Sequence, residues 1–113
     1  MRFYNESIIK AANAAVSQNS IAVESKLCRF ASVQAVVTGT AAGSIKLQVS
    51  NDEVVNGGSP SNWSDLTGAT VSISGAGVYL IPAQNMGYQF IRAVYTASSG
   101  SGTITANLHM VGY

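Results

Sequence analysis

The feature that most constrains this chain is a two-residue alternation of apolar and polar side chains, repeated in separate stretches along its length. From Ser44 to Ser50, Ile45, Leu47 and Val49 fall on one face and Ser44, Lys46, Gln48 and Ser50 on the other. From Thr103 to Tyr113, Ile104, Ala106, Leu108 and Met110 alternate with Thr103, Thr105, Asn107 and His109. Successive side chains of a strand point to opposite faces, so each stretch is the pattern of a half-buried strand. Arg29 to Thr38 behaves likewise, with Ala31, Val33, Ala35 and Val37 on one face. Tyr88 to Thr96 is apolar on both faces except for Gln89 and Arg92, as in a central, well-covered strand. Shorter strands are expected at Ile21–Val23, Trp63–Leu66, Thr70–Ser74 and Val78–Ile81, with Pro82 marking a strand end or a sheet edge.

The segments between these strands are rich in glycine and serine. Gly39–Gly43 predicts a turn making Ser44–Ser50 a hairpin partner of the preceding strand, Gly75–Gly77 a hairpin turn, and Ser98–Gly102 a further turn. Asn51–Asn62 is long for a hairpin loop and is expected to cross between sheets. About eight strands spaced near a dozen residues apart predict an all-β chain: one antiparallel β-sandwich, jelly-roll-like, over residues 20–113. Residues 1–19 form a short N-terminal arm, helical or extended. Ile8, Ile9, Ala12 and Val16 stand at roughly helical spacing among alanines, but a dozen residues make a marginal helix alone. These four are therefore candidate assembly residues, ordered by docking on the domain or on a neighbour.

Charge narrows the possible partners. Asp, Glu, Lys and Arg make up 10% of the 113 residues, against roughly 25% in typical soluble domains. From Gly57 onward only Asp65 and Arg92 are charged. A neutral surface of hydroxyls and amides reads as that of a subunit surrounded by other protein, the alternative being a small domain kept soluble by those same groups. The formal net charge of +1 comes without a basic run, so nucleic acid is not an expected partner. No apolar run approaches the roughly 18 residues of a membrane span, and the first residues lack the features of an export signal. Cys28, the single cysteine, excludes an intrachain disulfide and reads as a small buried hydrophobe. With His109 as the one histidine, no structural Cys/His zinc site can form.

Catalytic chemistry has little to work with. Gly-x-Ser-x-Gly is absent, Cys28 and His109 carry no enzyme signature, and no dinucleotide fingerprint surrounds Gly75–Gly77, so neither an enzyme nor a cofactor is expected. Asp52-Glu53 is the one close carboxylate pair, and its pattern is a strand-ending turn rather than a calcium loop. Arg92 in an apolar strand needs a partner, and Asp65, the only acid of the second half, is expected to form a buried ion pair with it. Trp63 with Tyr79, Tyr88 and Tyr95 is either a sugar-stacking platform or, for Trp63, a plug at one end of the core.

The order of blocks adds a family resemblance. ASVQAVVTGTAAGSIKLQVSND (Ala31–Asp52), NWSDL (Asn62–Leu66), GAGVYLI (Gly75–Ile81), YQFIRAVYT (Tyr88–Thr96) and SGTITANLHMVG (Ser101–Gly112) resemble small structural proteins of bacterial viruses, of the decoration, cement or minor-coat type. The resemblance spans roughly residues 20 to 113 and carries over no binding residue. It implies a non-enzymatic sandwich subunit of the virion, assembled in the host cytoplasm, homo-oligomeric, and bound to other virion proteins, above all the major capsid protein. A carbohydrate-binding or adhesion module of a spike or tail is the alternative.

Overall fold

Strands account for nearly all regular structure in the computed structural model, which describes residues 2–25, 28–54, 58–83 and 87–112, the side chains of Arg2 and Phe3 apart. Of the expected loop and final strand, Gly57 and Tyr113 lie outside the described residues. The strands are β1 (Arg2–Asn13), β2 (Gln18–Asn19), β3 (Val23–Glu24), β4 (Cys28–Val37), β5 (Ala42–Ser50), β6 (Ser64–Ser74), β7 (Gly77–Ala83), β8 (Phe90–Ser99) and β9 (Thr103–Gly112). Two antiparallel sheets result, β1-β9-β4-β7 and β2-β8-β5-β6, with β3 also pairing to β8. No helix of the described residues is long and apolar enough to cross a membrane.

Pairing proceeds from the chain ends inward: β1 with β9, β2 and β3 with β8, β4 with β7, and β5 with β6. The β4·β9 and β5·β8 pairs then roll this long ribbon into two sheets. Counting β2 and β3 as one interrupted strand, this is the eight-stranded jelly roll.

Three connections differ from the sequence expectation. The loop after Asn51 does not change sheets, because β5 and β6 are paired neighbours. Among the connections that do pass from one sheet to the other are the short turns: β4 to β5, β6 to β7 and β8 to β9. A short turn does not by itself make a hairpin, since the partner strand is chosen by long-range pairing. The expected strands Trp63–Leu66, without Trp63 itself, and Thr70–Ser74 merge into β6, whose register against β5 jumps between the Lys46↔Thr70 and Gln48↔Asp65 pairs.

The N-terminal segment takes its extended alternative. β1 pairs with β9 from Arg2↔Gly112 to Asn13↔Thr103, with register shifts between Ser7 and Ile9 and between Ile9 and Ala12. Those bulges explain the helix-like spacing. The first puts the adjacent Ile8 and Ile9 both into the core. The second sets two residues, Lys10 and Ala11, opposite the single Thr105 of β9, with Ala11 at a φ of 44°. A strand with two bulges thus imitates a three-to-four-residue period.

The inward faces meet in one core. Val33, Ala35, Ile81, Ile104, Leu108 and Met110 of one sheet and Ile45, Leu47, Ile91, Ala93 and Tyr95 of the other are all fully buried. Tyr95 is the largest of them, and its hydroxyl donates to the backbone carbonyl of Ala14 at 2.7 Å, tying β8 to the end of β1 across the sandwich. At the same end the β4–β5 and β8–β9 loops are zipped together, Thr40 N donating to Ser101 O at 2.8 Å, and the turn after β1 joins them, Ala14 N donating to Gly102 O at 3.0 Å. This closeness requires glycine at Gly102, where φ is +146° and a Cβ would lie 1.9 Å from Thr38 O.

Candidate functional site

The two outward faces of the sandwich have different chemistry. On the β1-β9-β4-β7 sheet the register places Val36, Gln34 and Ser32 of β4 opposite Val78, Leu80 and Pro82 of β7 and opposite Thr105, Asn107 and His109 of β9. None of these nine is Asp, Glu, Lys or Arg, and His109 is the one ionisable side chain among them. Val78 and Leu80 are 62% and 64% exposed, and Phe30, further along β4, is 49% exposed. β7 is an edge strand and carries Pro82, so the apolar patch lies beside the open border of the sheet.

The outward face of the other sheet is polar and ordered by hydrogen bonds. Asp65, Gln48 and Arg92 stand in one row across β6, β5 and β8. Arg92 Nε and Nη2 donate to Gln48 Oε1 at 2.9 and 2.7 Å, and Gln48 Nε2 donates to Asp65 Oδ1 at 2.9 Å. Lys46 Nζ donates to Asp65 Oδ2 at 3.1 Å. The Arg92 guanidinium lies 4.3 Å from the centroid of the Trp63 ring. Burial lowers the Arg92 pKa from its ordinary value, and the hydrogen bonds from Gln48 and Lys46 lower that of Asp65.

The expected buried Asp65–Arg92 ion pair is therefore not formed. Asp65 is 58% exposed and pairs with Lys46, while Gln48 stands between the two expected partners. Arg92 is satisfied by an aromatic face and an amide oxygen, which together hold a guanidinium without a carboxylate.

Nor is Trp63 a core plug. It is half-buried, apart from the core cluster, and its indole Nε1–H donates to Pro60 O at 3.3 Å. The four aromatic candidates do not share one surface. Tyr95 is fully buried, and the Tyr79 hydroxyl donates to Gly75 O at 2.9 Å and accepts from Ser74 N at 3.1 Å on the turn joining the sheets. Tyr88 packs against the core just before β8. Of the arm candidates, Ile8 and Ile9 are buried, Ala12 is partly buried against the core and Val16 is 54% exposed. Cys28 is buried.

Asp52 organises the loop that leads to Trp63. Its Oδ2 accepts Ser61 N at 2.7 Å and Asn62 N at 2.8 Å, and its Oδ1 accepts Asn62 Nδ2 at 3.0 Å. These bonds, those from Asn62 foremost, hold its carboxyl below the ordinary value. Among the described residues no group of three or more His, Cys, Asp and Glu is placed to hold a metal ion.

Sequence reasoning put Lys46 and Gln48 outward but did not pair them with the Asp65 and Arg92 row, which depends on register across three strands. It also missed the exposure of Val78 and Leu80. The signal was present in Pro82: apolar residues on both faces of an edge strand leave one face uncovered.

No family model and no curated protein matches the sequence. Among solved structures the chain is similar to the SPBc2 prophage-derived protein YomS, with a TM-score of 0.60 at 9% identity over 96% of this chain and 93% of that one. It is similar to PirA, with a TM-score of 0.52 at 12% identity over 96% and 92% of the two chains. Chitosan-binding module 1 of a chitosanase/glucanase from Paenibacillus sp. IK-5 aligns with a TM-score of 0.51 at 17% identity, over 92% of this chain and 74% of the module. At such identities the likeness is one of fold, and function has to be argued from the faces described above.

Proposed function

We propose that this chain is a non-enzymatic structural subunit of a bacterial-virus particle, present in many copies, that binds the shell through the outer face of its β1-β9-β4-β7 sheet. The observation that carries this reading is the charge-poor patch around Val78 and Leu80, which are 62% and 64% exposed on an edge strand. Contiguous exposed apolar surface rimmed by polar residues is the character of a protein-binding face, and its lack of charge matches the centre of an interface. Two further facts support it: jelly rolls recur in viral capsid proteins, and YomS, similar in fold, is prophage-derived. The partner is the major capsid protein or further copies of this chain, with affinity multiplied by repetition in the shell.

The test is incorporation. Leu80→Lys and Val78→Lys change only outward, exposed positions, so circular dichroism and melting stay close to wild type. In particles banded on a density gradient, each variant is expected at less than about one-tenth of the wild-type ratio to the main shell protein, the loss of an apolar anchor of roughly 1.5 kcal/mol or more. Wild-type incorporation by both variants, or absence of the wild-type chain from particles, refutes the reading.

A further inference from the structure

We infer that the outer face of the β2-β8-β5-β6 sheet is a separate ligand site, at which a neutral sugar stacks on Trp63 and hydrogen-bonds to Asp65 and Lys46. Three observations lead there. The first is that the protein's one tryptophan is spent outside the core. A large apolar ring left partly exposed on a polar face contributes less to folding than it would in the core, whereas a pyranose offers a matching face of C–H bonds.

The second is pre-organisation. The ring is held on one face by the Arg92 guanidinium at 4.3 Å and at its nitrogen by Pro60 O at 3.3 Å. The residues just before it, Ser61 and Asn62, are clamped by the Asp52 carboxylate. Arg92 is in turn locked by its two bonds to Gln48 Oε1. A platform held this way loses little freedom when a ligand arrives.

The third is the spare hydrogen-bonding capacity beside the ring. Asp65 and Lys46 side chains are 58% and 32% exposed, so the carboxylate and the ammonium both reach solvent while bonded to each other. A carboxylate accepts up to four hydrogen bonds and an ammonium donates three, so vicinal hydroxyls can bond to both at once.

The charges indicate which sugar. Among the strand residues of this face, Lys46 and Arg92 are offset by Asp65, which bonds Lys46 and stands in the row of Arg92, and by Glu24, which pairs with Phe90 two residues along β8 from Arg92. Neither sign dominates among these four side chains, which suits an uncharged glycan better than a polyuronate or a polyamine. The chitosan-binding module similar in fold binds a cationic polymer, so the ligand class inferred here does not follow from that likeness.

Because Trp63 is the one tryptophan, its fluorescence reports this site alone. The full chain is titrated with neutral gluco-, manno-, galacto- and N-acetylglucosamine oligosaccharides, and in parallel with chitosan oligomers and polygalacturonate. A saturable spectral change with at least one neutral series is expected, weakened about five-fold by Asp65→Asn through loss of one hydrogen bond and unaffected by Leu80→Lys on the opposite sheet. Trp63→Ala, checked for folding by circular dichroism, is expected to lose retention in gels containing the same glycan. Absence of any change with the neutral panel overturns the inference, as does binding confined to the charged polymers or binding indifferent to Asp65→Asn. Since Leu80→Lys leaves this site intact, the sugar result stands or falls separately from the virion reading.

Discussion

Replacing Tyr95 by Phe removes one oxygen atom from the centre of the molecule and tests how the N-terminal strand is held. The Tyr95 hydroxyl donates to Ala14 O at 2.7 Å, and both residues are fully buried. The substitution keeps the ring and its packing, so no cavity term enters. What it loses is a hydrogen bond with a net value of about 1 kcal/mol, and it leaves the Ala14 carbonyl without a partner, which raises the cost to about 1–3 kcal/mol. For a 113-residue domain the unfolding entropy is about 240 cal/mol/K, so 2 kcal/mol corresponds to a fall in Tm of about 8 °C. Urea unfolding followed by far-ultraviolet circular dichroism gives the free energy directly. Tyr79→Phe is the comparator, since its hydroxyl serves a turn and is only partly buried; it is expected to cost less than Tyr95→Phe. High pH gives a second readout. Burial raises the Tyr95 pKa, so the unfolded chain ionises first, and the stability from this residue is complete below about pH 10 and lost as pH rises through the folded value. Tyr95→Phe should remove that alkaline component. A loss below about 0.5 kcal/mol, with an unchanged alkaline profile, would refute the claim that this bond ties β1 to the opposite sheet.

Other consequences follow from local geometry. Gly102→Ala forces a Cβ to 1.9 Å from Thr38 O at a φ of +146°, and is expected to destabilise by more than about 2 kcal/mol in the same unfolding assay. Ala11→Gly relieves an alanine at a φ of 44°, and is expected to leave stability unchanged or raise it by up to about 1 kcal/mol, the reverse of the usual effect of glycine in a strand. The Asp52 carboxyl is held below its ordinary pKa by Asn62 and Ser61, so its contribution is present above about pH 4 and fades as pH falls through the folded value. Protection of the Ser61 and Asn62 amides, taken relative to the intrinsic exchange rate at each pH, should fall over that range in the wild type and lack the transition in Asp52→Asn. Attachment to particles through the uncharged face should change little between low and moderate salt at fixed pH; steep release by added salt would contradict it.

The fold class was legible because alternation is local: each residue's neighbours two positions away state whether it lies on a buried face. That is why β4, β5 and β9 and their inward residues, from Val33 to Met110, follow from sequence alone, and why Cys28 could be placed inside. The unusually low charge content likewise belongs to the chain itself and pointed to a surface covered by protein. Partnership is not local. Which strands pair is settled by residues as far apart as Arg2 and Gly112, so the short turns cross between sheets and the long loop does not. The bulges of β1 imitated a helical period because an inserted residue shifts the side-chain phase in the same way that a helix does. The candidate site shows the same division. Asp65 and Arg92 drew attention as isolated charges, but only the register of β6, β5 and β8 set Gln48 between them and turned an expected ion pair into an arginine stacked on Trp63. Side-chain periodicity fixes what is buried, whereas contacts across strands depend on the closure of the whole sandwich.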